Sequence, residues 1–426
     1  MATLSRVRTL VSGEVSPPGD KSISHRSLML GALGEGSSRI DGILDSADVR
    51  STASVLRALG ARIDWVDAVA IVAGRGVRGL TAPATSLDCG NSGTTARLVA
   101  GIVAGSFFAA RLEGDQSLSR RPMRRLTSLL ESMGARTEMS AHDGLPMTVQ
   151  GGALRAVPCT LPVASAQLKS AVLLAGVVAG CGAEVVEPAP SRDHTERMLT
   201  ARGAVVTREG STVRVAAQAA LCAADTTVPG DPSSAAFLAA FAAMCDDGEL
   251  MIRDVAVNPG RIGFLRALIQ MGASVTIGNQ RDVDGEPVAD CTIAPGSLHA
   301  IVLDAHDIPS LIDELPVLAI VAARAAGETI VRGAGELRAK ESDRIATIVS
   351  NLRAVGADAE ELPDGFVIRG SDAPLRGRVR TAGDHRIAMA FAVLAAVGGN
   401  EIEIDDMRCA AVSYPDFMSD LTRISR

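Results

Sequence analysis

The sequence predicts an α/β protein built from about six similar units, and a recurring local pattern is the main observation. A stretch with helical apolar spacing ends in a glycine, and a short run of alternating apolar and polar residues follows, as in "LLESMGARTEM" and "LIQMGASVTI". These glycines recur at intervals of 74, 69, 69 and 84 residues, at Gly60, Gly134, Gly203, Gly272 and Gly356. The pattern alone is common in α/β proteins, but its near-equal spacing favours true repeats.

Each unit is predicted in the same way. A glycine just past a helix adopts the left-handed conformation that ends it, and the alternating residues after it form a half-buried strand. We interpret "RIAMAFAVLAAVGGNEIEI" as a sixth unit of the same shape. Six units indicate two domains of three. The junction is expected in "VPGDPSSAAFLAAF", residues 228–241, where two prolines and a glycine precede a new helix.

Composition limits the function classes. The 426 residues are 47% hydrophobic, enough for sizeable cores in two or three domains. A net charge of −7 and an aromatic content of 2% argue against a nucleic-acid-binding protein, which usually carries a basic surface and stacking aromatics. The start "MATLSRVRTLVSG" is too short and polar for a secretory signal, and "AVLLAGVVAGCGAEVV" is too short for a membrane span.

Cysteine and histidine usage points to a cytoplasmic protein without a metal site. Seven cysteines are scattered along the chain with no C-x-x-C pair, so we expect reduced, buried thiols. The histidines show no pair with metal-ligand spacing, and no metal is predicted. A plastid transit peptide is also not recognised, which suggests a bacterial or already mature form.

Cations stand at predicted helix starts, where the positive end of the helix dipole disfavours them. "GDKSISHR", "CGNSGTTAR" (capped by Asn91 or Ser92) and "SRRPMRRL" (with Pro122 as first helical residue) each open a helix. Further examples are "SAQLKSAVLL" with Lys169, "AKESDRIATI" with Lys340 and Arg344 on one helix face, and "GDHRIAMAF" with Arg386 beside Asp384.

Bound anions would explain all these cations. Helix N-termini offer free N–H groups and positive potential, and lysine and arginine complete such a site. Any one motif is also compatible with a simple N-cap, such as Asp20 or Ser22, beside a solvated lysine. Six motifs in an acidic chain favour a small ligand, or two, with several negative charges. A P-loop is excluded because Asp20 separates Gly19 from Lys21.

Eight motifs in order give the chain a resemblance to the 5-enolpyruvylshikimate-3-phosphate synthase family of enolpyruvyl transferases. The resemblance runs nearly end to end and rests on "PPGDKSISHR", "CGNSGTTARL", "RRPMRRL", "SAQLKSAVLLAG", "SRDHTERM", "DELPVLA", "LRAKESDRI" and "GDHRIAMA". It implies a two-domain α/β fold, each domain made of three βαβαββ repeats around a closing interdomain cleft. The implied domains are residues 18–228 and a discontinuous domain of 1–17 plus 229–426.

The resemblance also implies the reaction. Phosphoenolpyruvate would transfer its enolpyruvyl group to the 5-hydroxyl of shikimate 3-phosphate and release phosphate, with no cofactor and no metal. Shikimate 3-phosphate would contact Lys21, Ser22, Arg26, Ser165, Ala166, Gln167, Arg192, Asp313 and Lys340. Phosphoenolpyruvate would contact Lys21, Gly93, Arg121, Gln167, Arg344 and Arg386. The family also suggests a monomer.

The same resemblance assigns the chemistry. C3 of phosphoenolpyruvate gains a proton while the 5-hydroxyl loses one, and elimination of phosphate from the tetrahedral adduct removes the C3 proton again. Two acid/base groups are needed. Asp313 resembles the base toward the hydroxyl, Glu341 the proton donor and acceptor at C3, and Lys21 a stabiliser of developing negative charge. By themselves, Asp313 reads as an ordinary helix-start acid and Glu341 as half of a helical salt bridge.

Some motifs place the chain near the glyphosate-tolerant branch of the family, and others depart from it. "GDKS", "SAQLK" and "SRDHTE" resemble that branch, whereas Gly260 in "NPGR" replaces an expected threonine and "VSYPDF" lacks a lysine many relatives carry. Gly93 stands where tolerant enzymes often have alanine. We therefore expect partial sensitivity to glyphosate, and a higher inhibition constant in Gly93→Ala.

Two alternatives remain open at this stage. The sister transferase acting on UDP-N-acetylglucosamine usually has a cysteine before its Arg-Pro, and "GDQSLSRRP" has none. A non-catalytic anion-binding relative would be expected to lose Asp313 or Glu341, and both are present.

Overall fold

The chain folds into two compact units. The computed structural model describes residues 8–140, 142–217 and 220–426. We call residues 19–228 with 283–286 the inserted unit, and the rest, which includes residues 229–282 and 287–426, the terminal unit. Relative to the division expected from the sequence, Pro18 falls in the terminal unit, and the segment 283–286 joins the inserted unit.

The described residues form twelve helices and twenty-two strands. The helices are α1 (Lys21–Leu33), α2 (Ala47–Ala58), α3 (Gly93–Gly105), α4 (Arg124–Met133), α5 (Ala166–Ala179), α6 (His194–Thr200), α7 (Pro232–Met244), α8 (Gly263–Gln270), α9 (Leu315–Ala322), α10 (Arg344–Ala354), α11 (His385–Ala396) and α12 (Phe417–Ile424). The strands are β1 (Leu10–Val15), β2 (Glu35–Asp41), β3 (Arg62–Val66), β4 (Val69–Arg75), β5 (Leu87–Asp88), β6 (Ala109–Glu113), β7 (Arg136–Met139), β8 (Met147–Gln150), β9 (Pro158–Thr160), β10 (Ala183–Val186), β11 (Val206–Glu209), β12 (Thr212–Val215), β13 (Thr226–Thr227), β14 (Asp247–Ala256), β15 (Ser274–Val283), β16 (Glu286–Ala294), β17 (Val302–Leu303), β18 (Glu328–Val331), β19 (Asp358–Leu362), β20 (Gly365–Arg369), β21 (Arg376–Val379) and β22 (Glu401–Ile404).

One four-stranded sheet recurs through both units. In the sheet β5-β6-β8-β7, β6 pairs parallel with β5 and antiparallel with β8, and β7 forms a hairpin with β8. The same arrangement occurs in β9-β10-β12-β11, β13-β2-β4-β3, β1-β14-β16-β15 and β17-β18-β20-β19. With the helices between the strands, β5–α3–β6–α4–β7–β8 is one βαβαββ repeat.

The five glycines predicted to end helices all do so. Each follows the second helix of a repeat and has a positive φ, between 86° and 114°. The sixth unit is different from the prediction. In "RIAMAFAVLAAVGGNEIEI" the helix is α11, the first helix of its repeat, and β22 pairs parallel with β21 in a two-stranded sheet. Within the described residues the last repeat therefore has only its βαβ part. Helix α12 follows, and the hairpin that ends the other repeats is absent from these residues.

The first helix of each repeat is buried on nearly every side. In α7 every residue is buried, and its alanine-rich sequence begins at Pro232 after the N-cap Asp231, whose side chain accepts from the Ser233 N–H. Each unit has its own apolar cluster around such helices. Hence the N-termini of these helices, rather than their flanks, are the places where polar side chains accumulate.

Small residues set the direction and spacing of α3 and α5. A Cβ on Gly101 would lie 2.2 Å from the Ala171 carbonyl oxygen, and one on Gly105 would lie 2.5 Å from that of Ala175. Contacts four residues apart on both helices mean that they run parallel, and only glycine permits this approach. The N-terminus of α3 therefore lies beside that of α5.

Two local predictions are corrected. Pro122 precedes α4 rather than opening it: the helix starts at Arg124, where Asp143 accepts from the N–H groups of Met123 and Arg124. The cysteines are free thiols, but Cys222 is exposed, and Cys181 and Cys409 are only partly buried. Among the described residues, none of the helices has the length and apolar character needed to span a membrane.

Candidate anion-binding and acid/base sites

The start of α1 carries three of the predicted site residues. Asp20 caps the helix by accepting from the Ile23 N–H at 2.8 Å, so Lys21 and Ser22 occupy the first two helical positions, where backbone N–H groups have no helical partner. Lys21 Nζ lies 3.2 Å from Asp48 Oδ2. One turn later, the buried Arg26 donates to the Ser22 carbonyl, the Ser170 hydroxyl and the Thr195 hydroxyl.

Arg26 is held without a carboxylate in its hydrogen bonds. Burial lowers the pKa of Arg26 to about 10. The negative charges of Glu196 and Asp20 oppose this shift, and the positive charge of Arg192 adds to it. The guanidinium stays protonated at neutral pH, because its pKa is still far above 7. A buried cation with neutral hydrogen-bond partners gains more from an incoming anion than a cation already paired with a carboxylate.

A buried chain of hydroxyls links the starts of α1 and α3. His25 Nδ1 lies 2.7 Å from Thr52 Oγ1, which lies 2.6 Å from Thr95 Oγ1, and Thr95 donates to Ser92 at 2.8 Å. Ser92 caps α3, as one of the two sequence alternatives predicted. Burial, together with Lys21 and Arg26, holds the pKa of His25 well below its usual 6.5. His25 is therefore neutral and structural at physiological pH.

The parallel α3 and α5 bring Gly93 and Gln167 together. Gln167 Oε1 accepts from Arg97 Nη1 at 3.0 Å, and its Nε2 donates to Thr94 Oγ1 at 3.0 Å. A Cβ built on Gly93 would lie 2.7 Å from Arg97 Nη1 and 3.2 Å from Arg121 Nη1. Two guanidinium groups thus border the α3 N-terminus, with the Gly93 N–H at the first helical position.

Arg121 is held beside the α3 N-terminus by Asn91, which the sequence analysis considered only as a possible helix cap. Its Nη2 donates to Asn91 Oδ1 at 2.5 Å, and the Asn91 amide in turn donates to Asp115 Oδ2 at 2.6 Å. Asn91 and Arg97 both stand in the quoted motif "CGNSGTTAR". The helical spacing of Arg97 from Gly93 was the available signal for a shared face, whereas the Asn91–Arg121 contact spans thirty residues and left no local signal.

The start of α5 is a second candidate anion-binding site in the inserted unit. Ser165 is the N-cap, its hydroxyl accepting from the Leu168 N–H, and Ala166 is the first helical residue. Arg192 lies in the loop before α6, close enough to Arg26 for their charges to interact. The prediction that Lys169 is one of the anion-binding cations is wrong. Its side chain is fully buried against Glu187 and Glu196, so its charge is not available to a ligand.

The terminal unit holds the remaining predicted residues in one cluster. Asp313 lies in a 3-10 turn just before α9, and its Oδ1 is 3.1 Å from Lys340 Nζ and 3.6 Å from Arg344 Nη1. Glu341 Oε2 accepts from Arg344 Nη2 at 2.7 Å. Arg386 Nη1 donates to the Asp313 carbonyl oxygen at 2.9 Å. Both candidate acid/base carboxylates therefore contact Arg344.

The prediction that Lys340 and Arg344 share one face of a helix is wrong. Arg344 is the first residue of α10, whereas Lys340 and Glu341 precede the helix, after a 3-10 segment ending at Ala339. The Asp343 side chain caps α10 by accepting from the Ala346 N–H, which fixes the helix start after Lys340. Lys340 and Arg344 nevertheless both lie near Asp313 Oδ1, at 3.1 and 3.6 Å.

Asp384 organises the arginines of this cluster. It caps α11, accepting from the Arg386 N–H, and it receives two hydrogen bonds from the buried Arg344, at 2.8 and 3.2 Å. Burial alone would lower the pKa of Arg344, but Asp384, Glu341 and Asp313 together raise it above its usual value. Burial likewise opposes ionisation of Asp384, and Arg344 more than offsets this, so its pKa is lowered.

The predicted residues thus fall into two sets. The inserted-unit set is Lys21, Ser22, Arg26, Gly93, Arg121, Ser165, Ala166, Gln167 and Arg192, and the terminal-unit set is Asp313, Lys340, Glu341, Arg344 and Arg386. In the part of the chain that the structure describes, no group of three or more His, Cys, Asp or Glu side chains has the arrangement of a metal site.

This architecture of repeats with polar helix starts is the fold of an enolpyruvyl transferase. The enolpyruvyl transferase NikO from Streptomyces tendae superposes with a TM-score of 0.74 at 19% identity, covering 98% of this chain and 96% of that one. The chain belongs to the EPSP synthase (3-phosphoshikimate 1-carboxyvinyltransferase) family, whose sequence profile matches residues 6–421.

Named relatives agree with this membership over nearly the full length. A 3-phosphoshikimate 1-carboxyvinyltransferase from Gloeobacter violaceus is 49% identical, with 97% of this chain and 96% of the relative covered. One from Desulforudis audaxviator is 48% identical, with 95% of each covered. The structure of EPSP synthase from Acinetobacter baumannii matches with a TM-score of 0.85 and 38% identity, over 98% of this chain and 97% of that one.

Proposed function

We propose that this chain is an enzyme that transfers the enolpyruvyl group of phosphoenolpyruvate to the 5-hydroxyl of shikimate 3-phosphate and releases phosphate. Family membership supports the reaction. The observation that carries it is the difference between the two sets: cations at or near the starts of α1, α3 and α6, and candidate acid/base carboxylates that contact Lys340 and Arg344. Both substrates are polyanions, which such helix starts favour.

For shikimate 3-phosphate, we propose that the phosphate group binds Ser165, the Ala166 N–H and Arg192, with Arg26 and Ser22 beside them. Burial of Arg26 among hydroxyls supports this assignment, because an anion would compensate its desolvation. Lys21, Gln167, Asp313 and Lys340 complete the proposed contacts of this substrate.

For phosphoenolpyruvate, the proposed contacts are Lys21, Gly93, Arg121, Gln167, Arg344 and Arg386. Gly93 supports this placement in one specific way. Its missing side chain leaves room in front of Arg97 and Arg121, where a methyl group would come within 3.2 Å of both guanidinium groups. A small carboxylate or phosphate fits the positive potential of that position.

The chemistry requires proton transfer in both directions. As the 5-hydroxyl oxygen bonds to C2 of phosphoenolpyruvate, Asp313 takes the hydroxyl proton and Glu341 donates a proton to C3, giving the tetrahedral adduct. The C2–O bond to phosphate then breaks, Glu341 recovers the C3 proton, and the proton that Asp313 took from the hydroxyl leaves with the phosphate group. Arg344 contacts both carboxylates, so it stabilises them when they are ionised, and Lys21 stabilises negative charge that develops on the substrate.

The remaining expectations belong to the same proposal. Residues 18–228 and residues 1–17 plus 229–426 act as the two functional domains, and catalysis needs both sets of residues on the same pair of substrates. The protein acts as a monomer in the cytoplasm, without a cofactor or metal, and glyphosate competes with phosphoenolpyruvate to a degree set by Gly93.

Phosphate release is the first experiment. Phosphoenolpyruvate is supplied with shikimate 3-phosphate or with UDP-N-acetylglucosamine, in the presence of EDTA. We expect release with shikimate 3-phosphate alone. Release only with the UDP-sugar would replace the proposed acceptor, and release with neither, from folded protein, would leave an anion-binding protein without this activity. Loss of release on adding EDTA would contradict the metal-free reaction.

A further inference from the structure

Lys169 has no place in the proposed reaction, although it belongs to a motif of helix-start cations. Its Nζ lies 3.1 Å from Glu187 Oε2 and 2.7 Å from Glu196 Oε1, and its side chain is fully buried. Arg208 also donates to Glu187, at 3.0 Å. An ion pair buried so completely costs desolvation energy, and it rarely adds stability over apolar packing. The groups that these ion pairs hold in place, rather than their contribution to stability, therefore indicate their role.

The cluster holds every polar group of one residue, Ser191. Lys169 Nζ donates to the Ser191 carbonyl oxygen at 3.3 Å. Glu187 Oε1 accepts from the Ser191 N–H at 3.2 Å and also from the Ser191 hydroxyl. Ser191 lies in the irregular segment between β10 and α6, where no sheet or helix hydrogen bonds would fix the backbone. Lys169 and Glu187 supply that constraint instead.

Arg192 follows Ser191 directly, and the structure secures it from both sides. Glu196, the second carboxylate of Lys169, lies in the first turn of α6, just beyond Arg192. Beside this contact, Thr195 bonds Ser170 at 2.7 Å and Arg26 at 2.7 Å. The segment that carries Arg192 is thus attached to α5 through Lys169 and Ser170, and to α1 through Arg26.

We propose that Lys169 and Glu187 are positioning residues that keep Arg192 close to Arg26, so that both guanidinium groups are preset for the phosphate group of the acceptor substrate. The inference rests on the proposed function for the identity of that acceptor. Two neighbouring guanidinium groups repel each other before the anion arrives. A rigid attachment of the loop removes the need to order it on binding, which raises affinity for the phosphate.

The test compares two ligands that differ only in this group. Dissociation constants for shikimate 3-phosphate and for shikimate are measured by calorimetry in the wild type, Lys169→Met and Ser191→Ala. Lys169→Met removes the charge at similar side-chain length. Ser191→Ala removes one hydrogen bond and leaves the buried charges paired, so it stays informative where Lys169→Met fails to fold. Glu184→Gln, which breaks a partly exposed ion pair with Arg214 in the same unit, is the matched control.

We expect Lys169→Met to weaken shikimate 3-phosphate about tenfold, the size of one charge-assisted hydrogen bond, with shikimate affinity nearly unchanged. Ser191→Ala should shift the same ratio about threefold, as for a neutral hydrogen bond, and Glu184→Gln should leave it unchanged. Equal weakening of both ligands, or an unchanged ratio in folded variants, would overturn the inference. A wild type that does not prefer the phosphorylated ligand would instead overturn the proposed function.

Discussion

The two sets of site residues both lie around helix starts but hold their cations differently. In the inserted unit, Arg26 bonds hydroxyls and a carbonyl, and Arg97 and Arg121 bond the amide oxygens of Gln167 and Asn91. In the terminal unit, Arg344 bonds Asp384 and Glu341 and lies near Asp313. Arg26 therefore bonds only neutral groups, whereas Arg344 bonds carboxylates.

This difference matches two tasks that a transferase of polyanions must divide. Arg26 donates only to neutral groups and so retains its attraction for an anion, which makes the inserted-unit set suited to binding. Carboxylates that cations hold in a fixed orientation are placed to give and take protons, so the terminal-unit set is suited to moving protons. A change in one set should therefore impair the task of that set and leave the task of the other intact.

The largest effect is expected from the carboxylates. Glu341→Gln keeps an acceptor for Arg344 but cannot exchange a proton with C3, so kcat should fall by about 10²–10⁴-fold, the usual contribution of a general acid or base. Binding of shikimate 3-phosphate, measured by calorimetry, should change little. Glu361→Gln, which breaks a partly exposed contact with Arg338, is the control. A kcat within a few fold of the wild type would assign the proton transfer at C3 to another group.

The second effect tests the binding set. Arg26→Gln leaves hydrogen-bonding capacity toward Ser170 and Thr195 but removes the buried charge. The dissociation constant for shikimate 3-phosphate should rise by about 10–100-fold, as expected for one charged hydrogen bond. Arg39→Gln, at an exposed pair with Asp41, controls for net charge. If kcat falls and affinity does not, the division between the two sets is wrong.

Several features of the fold could be predicted from the sequence because their causes are local. The five glycine caps depend on a single φ angle, and the strands after them depend on alternation over a few residues, so both were visible without tertiary information. The helix-start cations were visible for the same reason. The sixth repeat was misread because a first helix followed by a strand has the same local pattern as a second helix followed by a strand.

Other features depend on residues far apart in the chain. The role of Lys169 is decided by Glu187 and Glu196, and the start of α4 is decided by Asp143, nineteen residues after Arg124. The choice of Asp313 and Glu341 among 49 acidic residues came from the family resemblance, since their shared partner Arg344 belongs to a contact that no spacing predicts.

The third prediction tests Gly93, which belongs to the inserted-unit set. Gly93→Ala places a methyl group against Arg97 and Arg121, at 2.7 and 3.2 Å from their Nη1 atoms, so both side chains must shift. Glyphosate is longer than phosphoenolpyruvate, so its inhibition constant should rise by at least about tenfold, and KM for phosphoenolpyruvate should rise less. Gly152→Ala is the control, because its Cβ would meet no atom within 4 Å. An unchanged inhibition constant would remove Gly93 from the inhibitor contacts.

The smallest effect concerns His25, which lies between Lys21 and Arg26 in α1. Burial and these two cations lower its folded pKa well below 6.5, so the unfolded chain takes up the proton first as the pH falls. His25 has no pH-dependent effect on stability above pH 6.5 and destabilises the fold below it, by at most about 1.4 kcal/mol per pH unit. In urea unfolding between pH 7.5 and 5, His25→Gln should therefore lose less stability than the wild type, whereas His299→Gln, at an exposed histidine, should not differ from it. Equal slopes for His25→Gln and the wild type would mean that His25 accepts a proton in the folded state, which requires a negative charge beside it and would make the inserted-unit set resemble the terminal-unit set.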